Sequence, residues 1–153
     1  MAYQDKFVQV DGLKTRYIEA GAGPAVICLH GASLGSSVDI FERNLGPLAK
    51  AGLRVIAFDQ PGFGLTDNPS DLSVAYRTKF IMKYMDALGL EMAALIGHSQ
   101  AGNMAVANAF ERATILKETF AQLDLHIVDN CKHLVQWHVM DQFHQMATKF
   151  LPN

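Results

Sequence analysis

Apolar and polar residues alternate from Lys6 to Ile18 and the alternation breaks at Asp11-Gly12. A period of two predicts half-buried strands, and Asp-Gly suits a two-residue turn with positive φ, so a β-hairpin is expected to open the fold. Two short, continuous apolar runs follow. Ala25 to Leu29 lies between Gly-Pro and His30-Gly31, and Arg54 to Phe58 lies between Gly52 and Asp59; both read as strands buried on two faces, with helical material between them. The period then changes. Val74, Phe80, Ile81, Tyr84, Met85 and Leu88 recur at helical spacing, with Ser73 as the start signal and Gly89 as the stop. A strand at 93–97, a helix after Ser99, a strand from Asp124 to Val128 and a last amphipathic helix marked by Met140, Phe143, Ala147 and Phe150 complete the pattern. Strands alternating with helices predict an α/β fold: a mostly parallel twisted sheet with helices on both faces and an N-terminal β-hairpin. No repeat, low-complexity tract or linker interrupts it, so residues 1–153 are expected to form a single domain.

Composition narrows the function classes. Half of the 153 residues are hydrophobic, enough to bury a core. Thirteen basic against fifteen acidic residues give a net charge of −2, without a basic cluster that would suit nucleic acid or an anionic membrane. No apolar run approaches the roughly 18 residues that a span requires, and the first six residues are polar, so a cytoplasmic protein is expected. Cys28 falls in a strand and Cys131 in a loop, which fits free thiols in a reducing compartment.

In sheets of this kind ligands bind beyond the carboxyl ends of the strands. The residues that follow the strands are His30-Gly31-Ala32-Ser33, Asp59 to Gly64, Ser99, and Asp129-Asn130-Cys131-Lys132-His133, so the chemically loaded groups gather at one end. Gly97-His98-Ser99-Gln100-Ala101-Gly102 reads as a strand, a sharp turn carrying a serine, and a helix. Such a turn projects the hydroxyl and aims unpaired N–H groups at developing negative charge. Alanine stands at position 101 where the pattern G-x-S-x-G has its second glycine. A serine needs a base, and histidine suits that duty near neutral pH. His133, in a loop after a strand, is the best candidate. His30 is committed to a strand-end turn, His98 points away from Ser99, His126 lies in mid-strand, and His138 and His144 fall on or near the last helix. The histidines lack a ligand spacing for zinc, and no metal or other cofactor is expected.

The segments LHGAS (29–33), FERNLGPLAKAGLRVIAFDQPGFGLTDNP (41–69), LIGHSQAG (95–102) and DLHIVDNCKHLVQW (124–137) resemble the α/β-hydrolase superfamily, and within it the hydrolases of aromatic ring-fission (meta-cleavage) products. The resemblance implies Ser99 as nucleophile, His133 as general base and then general acid, and an oxyanion hole from the backbone N–H groups of Gln100 and Ala32, with Ser33 as an alternative second donor. It makes Asp59 to Gly64 a structural turn. Dehalogenases and epoxide hydrolases of this architecture carry aspartate at the elbow, and Ser99 argues against both.

Members of the family place an acid and further strand–helix units between the serine and the histidine. Here 34 positions separate Ser99 from His133, room for about one crossover. A minimal core without the lid and two strands is therefore expected. Asp129, at the correct strand end, is the chosen acid. Asp59, an acid from a second subunit, or none at all remain alternatives, while Glu111 and Glu118 on the connecting helix and Asp124 at the wrong strand end are disfavoured. An open site favours small carboxylic esters as substrates, with C–C hydrolysis of ring-fission products as the alternative activity. A different class of reading is an oligomerising core with little catalysis. Lost strands would leave an uncovered edge, so a homo-oligomer, with a strand-exchanged dimer as one form, is expected.

Overall fold

A computed structural model describes residues 3–105 and 140–150. Strands β1 (Lys6–Val10) and β2 (Leu13–Ala20) form the expected hairpin, and Asp11 and Gly12 both take positive φ, 52° and 81°, as a two-residue turn between right-twisted strands demands. The sheet then runs β1-β2-β4-β3-β5, with β3 Ala25–Leu29, β4 Arg54–Phe58 and β5 Ala94–Gly97. β4 and β5 flank β3 in parallel, whereas β2 lies antiparallel to β4. Over the described strands the sheet is thus mixed, with its parallel part at β4-β3-β5. The strand expected from Asp124 to Val128 lies outside the described residues.

The two apolar runs are buried on both sides, and side-chain alternation divides them between two cores. Ile27, Leu29, Ile56 and Phe58 face Phe80, Ile81 and Tyr84 of helix α2 (Val74–Ala87), together with Ala101 and Met104 of helix α3, described over 100–105. Val26, Cys28, Val55 and Ala57 face Leu45 and Leu48 of helix α1 (Glu42–Lys50), where Ala147 of helix α4 (Met140–Phe150) also packs. Helices therefore cover both faces. Tyr84 stacks on Phe58 with ring centroids 4.0 Å apart, joining α2 to the middle of the sheet.

The start and stop signals of α2 act as read. Ser73 accepts from the Tyr76 N–H at 3.1 Å. At the other end Gly89 enters the left-handed region, φ 65°, so that its N–H reaches the Asp86 carbonyl and that of Leu90 reaches Met85. This fixes the direction in which the chain leaves α2 for β5, the strand that carries the elbow.

Candidate active site

β5 ends at Gly97, and Ser99 follows with φ 58°, in the left-handed region that a non-glycine residue enters at a cost of about 1–2 kcal/mol. The strain is held from both sides. His98 donates its N–H to the Leu29 carbonyl at 2.9 Å, which ties the turn to the end of β3, and the N–H groups of Ala101 and Gly102 close on the carbonyls of His98 and Ser99 at 3.1 and 2.9 Å. A side chain at Gly97 would overlap the Ala101 carbonyl oxygen, so the crowding falls on the first glycine of the pattern. Ala101 is accommodated because its methyl group enters the core. Ser99 itself is exposed.

The loop after β3 runs alongside. A Cβ at Gly31 would lie 3.2 Å from the Ser99 Cβ, and this close approach leads the chain into Ala32, which is exposed next to the elbow. His30 is fully buried. Its Nε2 accepts from the Gln60 N–H at 2.9 Å and its Nδ1 lies 2.6 Å from the Gly31 carbonyl, which assigns the proton to Nδ1. Gln60 returns the contact through its side-chain amide to the His30 carbonyl. Burial pushes the His30 pKa below its ordinary value. Both ring nitrogens are thus engaged in holding the loops after β3 and β4 together, and His30 is a structural group.

Asp59 is equally committed. One carboxylate oxygen accepts from the Val38 N–H at 2.7 Å; the other accepts from the Leu65 N–H at 2.9 Å and faces Arg16 Nη1 at 3.3 Å. Gly64, φ 53°, passes so close that a Cβ there would overlap the carboxylate. These contacts engage both oxygens in bracing the loop. His133 and Asp129 lie outside the described residues. So does Cys131, whereas Cys28 is buried in β3, where burial pushes its thiol up to about 12. Among the described residues no group of three or more His, Cys, Asp or Glu side chains is arranged to hold a metal ion. No described helix is long and apolar enough to cross a membrane.

The sequence reading passed over one neighbour of the elbow. Arg77 of α2 is only 6% exposed, donates from Nη2 to Gln100 Oε1 at 2.8 Å, and its guanidinium carbon stands 5.4 Å from the centre of the Phe63 ring. The signal was present: Arg77 falls on the same helical stripe as Phe80, Ile81, Tyr84 and Met85, so periodicity alone places this cation on the buried face.

A strained serine between a parallel strand and a helix, with a glycine loop beside it, sets the geometry against which known proteins can be compared. The sequence profile of the alpha/beta hydrolase fold family matches residues 24–113. The chain belongs to the α/β-hydrolase family. This α/β-hydrolase chain is 42% identical over 102 residues to a 2-hydroxy-6-oxo-6-phenylhexa-2,4-dienoate hydrolase of Comamonas testosteroni, a match that covers 62% of this chain and 34% of the relative. It is 32% identical over 96 residues to a bifunctional epoxide hydrolase of Mus musculus, covering 61% and 17%. A predicted CIB-like hydrolase from Thermoplasma acidophilum superposes with a TM-score of 0.77 over 98% of both chains at 19% identity, a likeness of fold alone. The α/β-hydrolase chain spans about a third of the length of the first two dienoate hydrolase relatives it matches.

Proposed function

We propose that this α/β-hydrolase is a serine hydrolase of small carboxylic esters, with Ser99 as its nucleophile. The observation that carries the reading is the exposed hydroxyl-bearing residue held at φ 58° between β5 and α3. Strain of this kind persists where the surrounding fold over-determines it, and functional sites are where it concentrates. In the reaction the Ser99 oxygen bonds to the ester carbonyl carbon as its proton passes to His133. The negative charge moves to the carbonyl oxygen, which the N–H groups of Gln100 and Ala32 receive. Collapse expels the alcohol, protonated by His133, and leaves an acyl-enzyme. Water, deprotonated by His133, then releases the acid and restores Ser99. Asp129 would orient His133 and stabilise its charged form. Exposure of Ser99 and Ala32 supports a site open to small esters.

A second reading, C–C hydrolysis of a ring-fission dienoate, draws on the name of the Comamonas testosteroni relative. The test is labelling with a fluorophosphonate probe and turnover of short nitrophenyl esters, beside a dienoate assay. We expect labelling and ester turnover in the parent chain, and a loss of at least about 10³-fold in turnover with no labelling in Ser99→Ala. Equal labelling of both chains rejects the serine mechanism, and turnover of the dienoate without ester turnover selects the second reading.

A further inference from the structure

We propose that Arg77 is a positioning residue that acts through Gln100, keeping a positive charge behind the elbow where it favours the negative charge that develops on the carbonyl oxygen of the substrate. The inference rests on the reading of Ser99 as nucleophile and of the Gln100 N–H as an oxyanion donor.

Three observations carry it. First, Arg77 is a buried cation without a counter-charge: among the described residues no carboxylate pairs with it, and its Nε and Nη1 are buried without a hydrogen-bond partner. The other arginine buried to a comparable degree, Arg16, faces Asp5, Asp39 and Asp59. Burying a charge with no carboxylate beside it among the described residues opposes folding, so its retention calls for a gain elsewhere. Secondly, its guanidinium donates to the side chain of the residue that follows Ser99. The guanidinium thus stands within one glutamine side chain of the elbow, in surroundings where a charge is poorly screened. Thirdly, the guanidinium is held in place on the face of Phe63, whose ring in turn meets His30, 5.2 Å between centroids. The same packing that fixes the loop after β3 therefore fixes the charge.

A field of this kind acts on the transition state more than on the neutral ester, so it raises kcat and leaves KM nearly unchanged. Three single variants of the full chain separate charge from support. Arg77→Met removes the charge. Arg77→Lys retains it. Gln100→Glu retains the link and neutralises the charge by pairing with it. With nitrophenyl acetate we expect kcat to fall about tenfold in Arg77→Met and in Gln100→Glu, with KM within about twofold of the parent, and Arg77→Lys to stay within about threefold. If Arg77→Met fails to fold, as judged by its thermal transition, Gln100→Glu decides alone. Parental kcat in Gln100→Glu, or a lysine variant as slow as the methionine variant, overturns the assignment. Fluorophosphonate labelling of the parent distinguishes the two possible failures. A parent that labels and turns over beside unaffected variants defeats the role of Arg77 only, whereas a parent that neither labels nor turns over defeats the serine mechanism and this inference with it.

Discussion

At Ser99 the backbone and the side chain make opposite demands. The left-handed turn favours glycine, while the proposed chemistry needs an oxygen there. Once the hydroxyl is removed only the backbone demand is left, so Ser99→Gly is expected to be more stable than Ser99→Ala by about 1 kcal/mol, a difference readable from urea midpoints. Equal midpoints would mean that the turn carries no strain. Gly97 answers the opposite way: its missing side chain makes room for the Ala101 carbonyl, so any substitution there presses on backbone that cannot move aside. The elbow was legible in the sequence because both demands leave marks on adjacent residues, an apolar strand before and small residues on each side of the serine. Arg77 left only its place on the apolar stripe of α2, which puts it on the buried face but does not say that it meets Gln100.

The elements are joined by polar ties as much as by apolar contact. Asp59 connects the end of β4 to the turn at Val38, to the loop at Leu65 and to Arg16 on β2. Replacing it by alanine leaves the buried Val38 N–H, the part-buried Leu65 N–H and a guanidinium short of their acceptor, and the expected cost is about 3 kcal/mol or more, seen as a lowered urea midpoint. A change below about 1 kcal/mol would remove Asp59 as the brace of the loops beside the elbow. On the other face Asn44, buried in α1, stands 3.0 Å from His144 Nε2 and links α4 to the body of the fold. Helix α2 was foreseeable from spacing and cap residues and the final helix from spacing, while the α1 region read only as helical material between two strands. Their ties were not, because Arg16 and Asp59, or Asn44 and His144, meet across long stretches of chain through contacts that no local pattern encodes.

At the scale of the molecule, two histidines among the described residues couple stability to pH. His30 is fully buried and His144 half-buried, and in both desolvation holds the folded pKa below the ordinary 6.5. As pH falls the unfolded chain therefore takes up protons first, so the stability these groups contribute is complete above about 6.5 and is lost as pH drops through 6.5 towards the lowered values. Urea midpoints should decline between pH 7.5 and 5 with the slope of the transition unchanged; a flat profile would show that neither ring is held neutral by the fold. Glu19, whose pKa is lowered by hydrogen bonds from Lys6 and Arg54 against the cost of burial, adds a separate loss at more acid pH, below the ordinary carboxylate value. By itself the sequence determined the hairpin at Asp11-Gly12, the two-sided strands β3 and β4, the bracketed helix α2 and the serine turn, because each is decided by residues within a few positions of one another. Tertiary structure alone decided that β2 lies antiparallel against β4, that Asp59 and His30 are occupied as braces, and that Arg77 stands behind the elbow. Those outcomes depend on which distant groups meet, and burial against the sheet, rather than local preference, selects them.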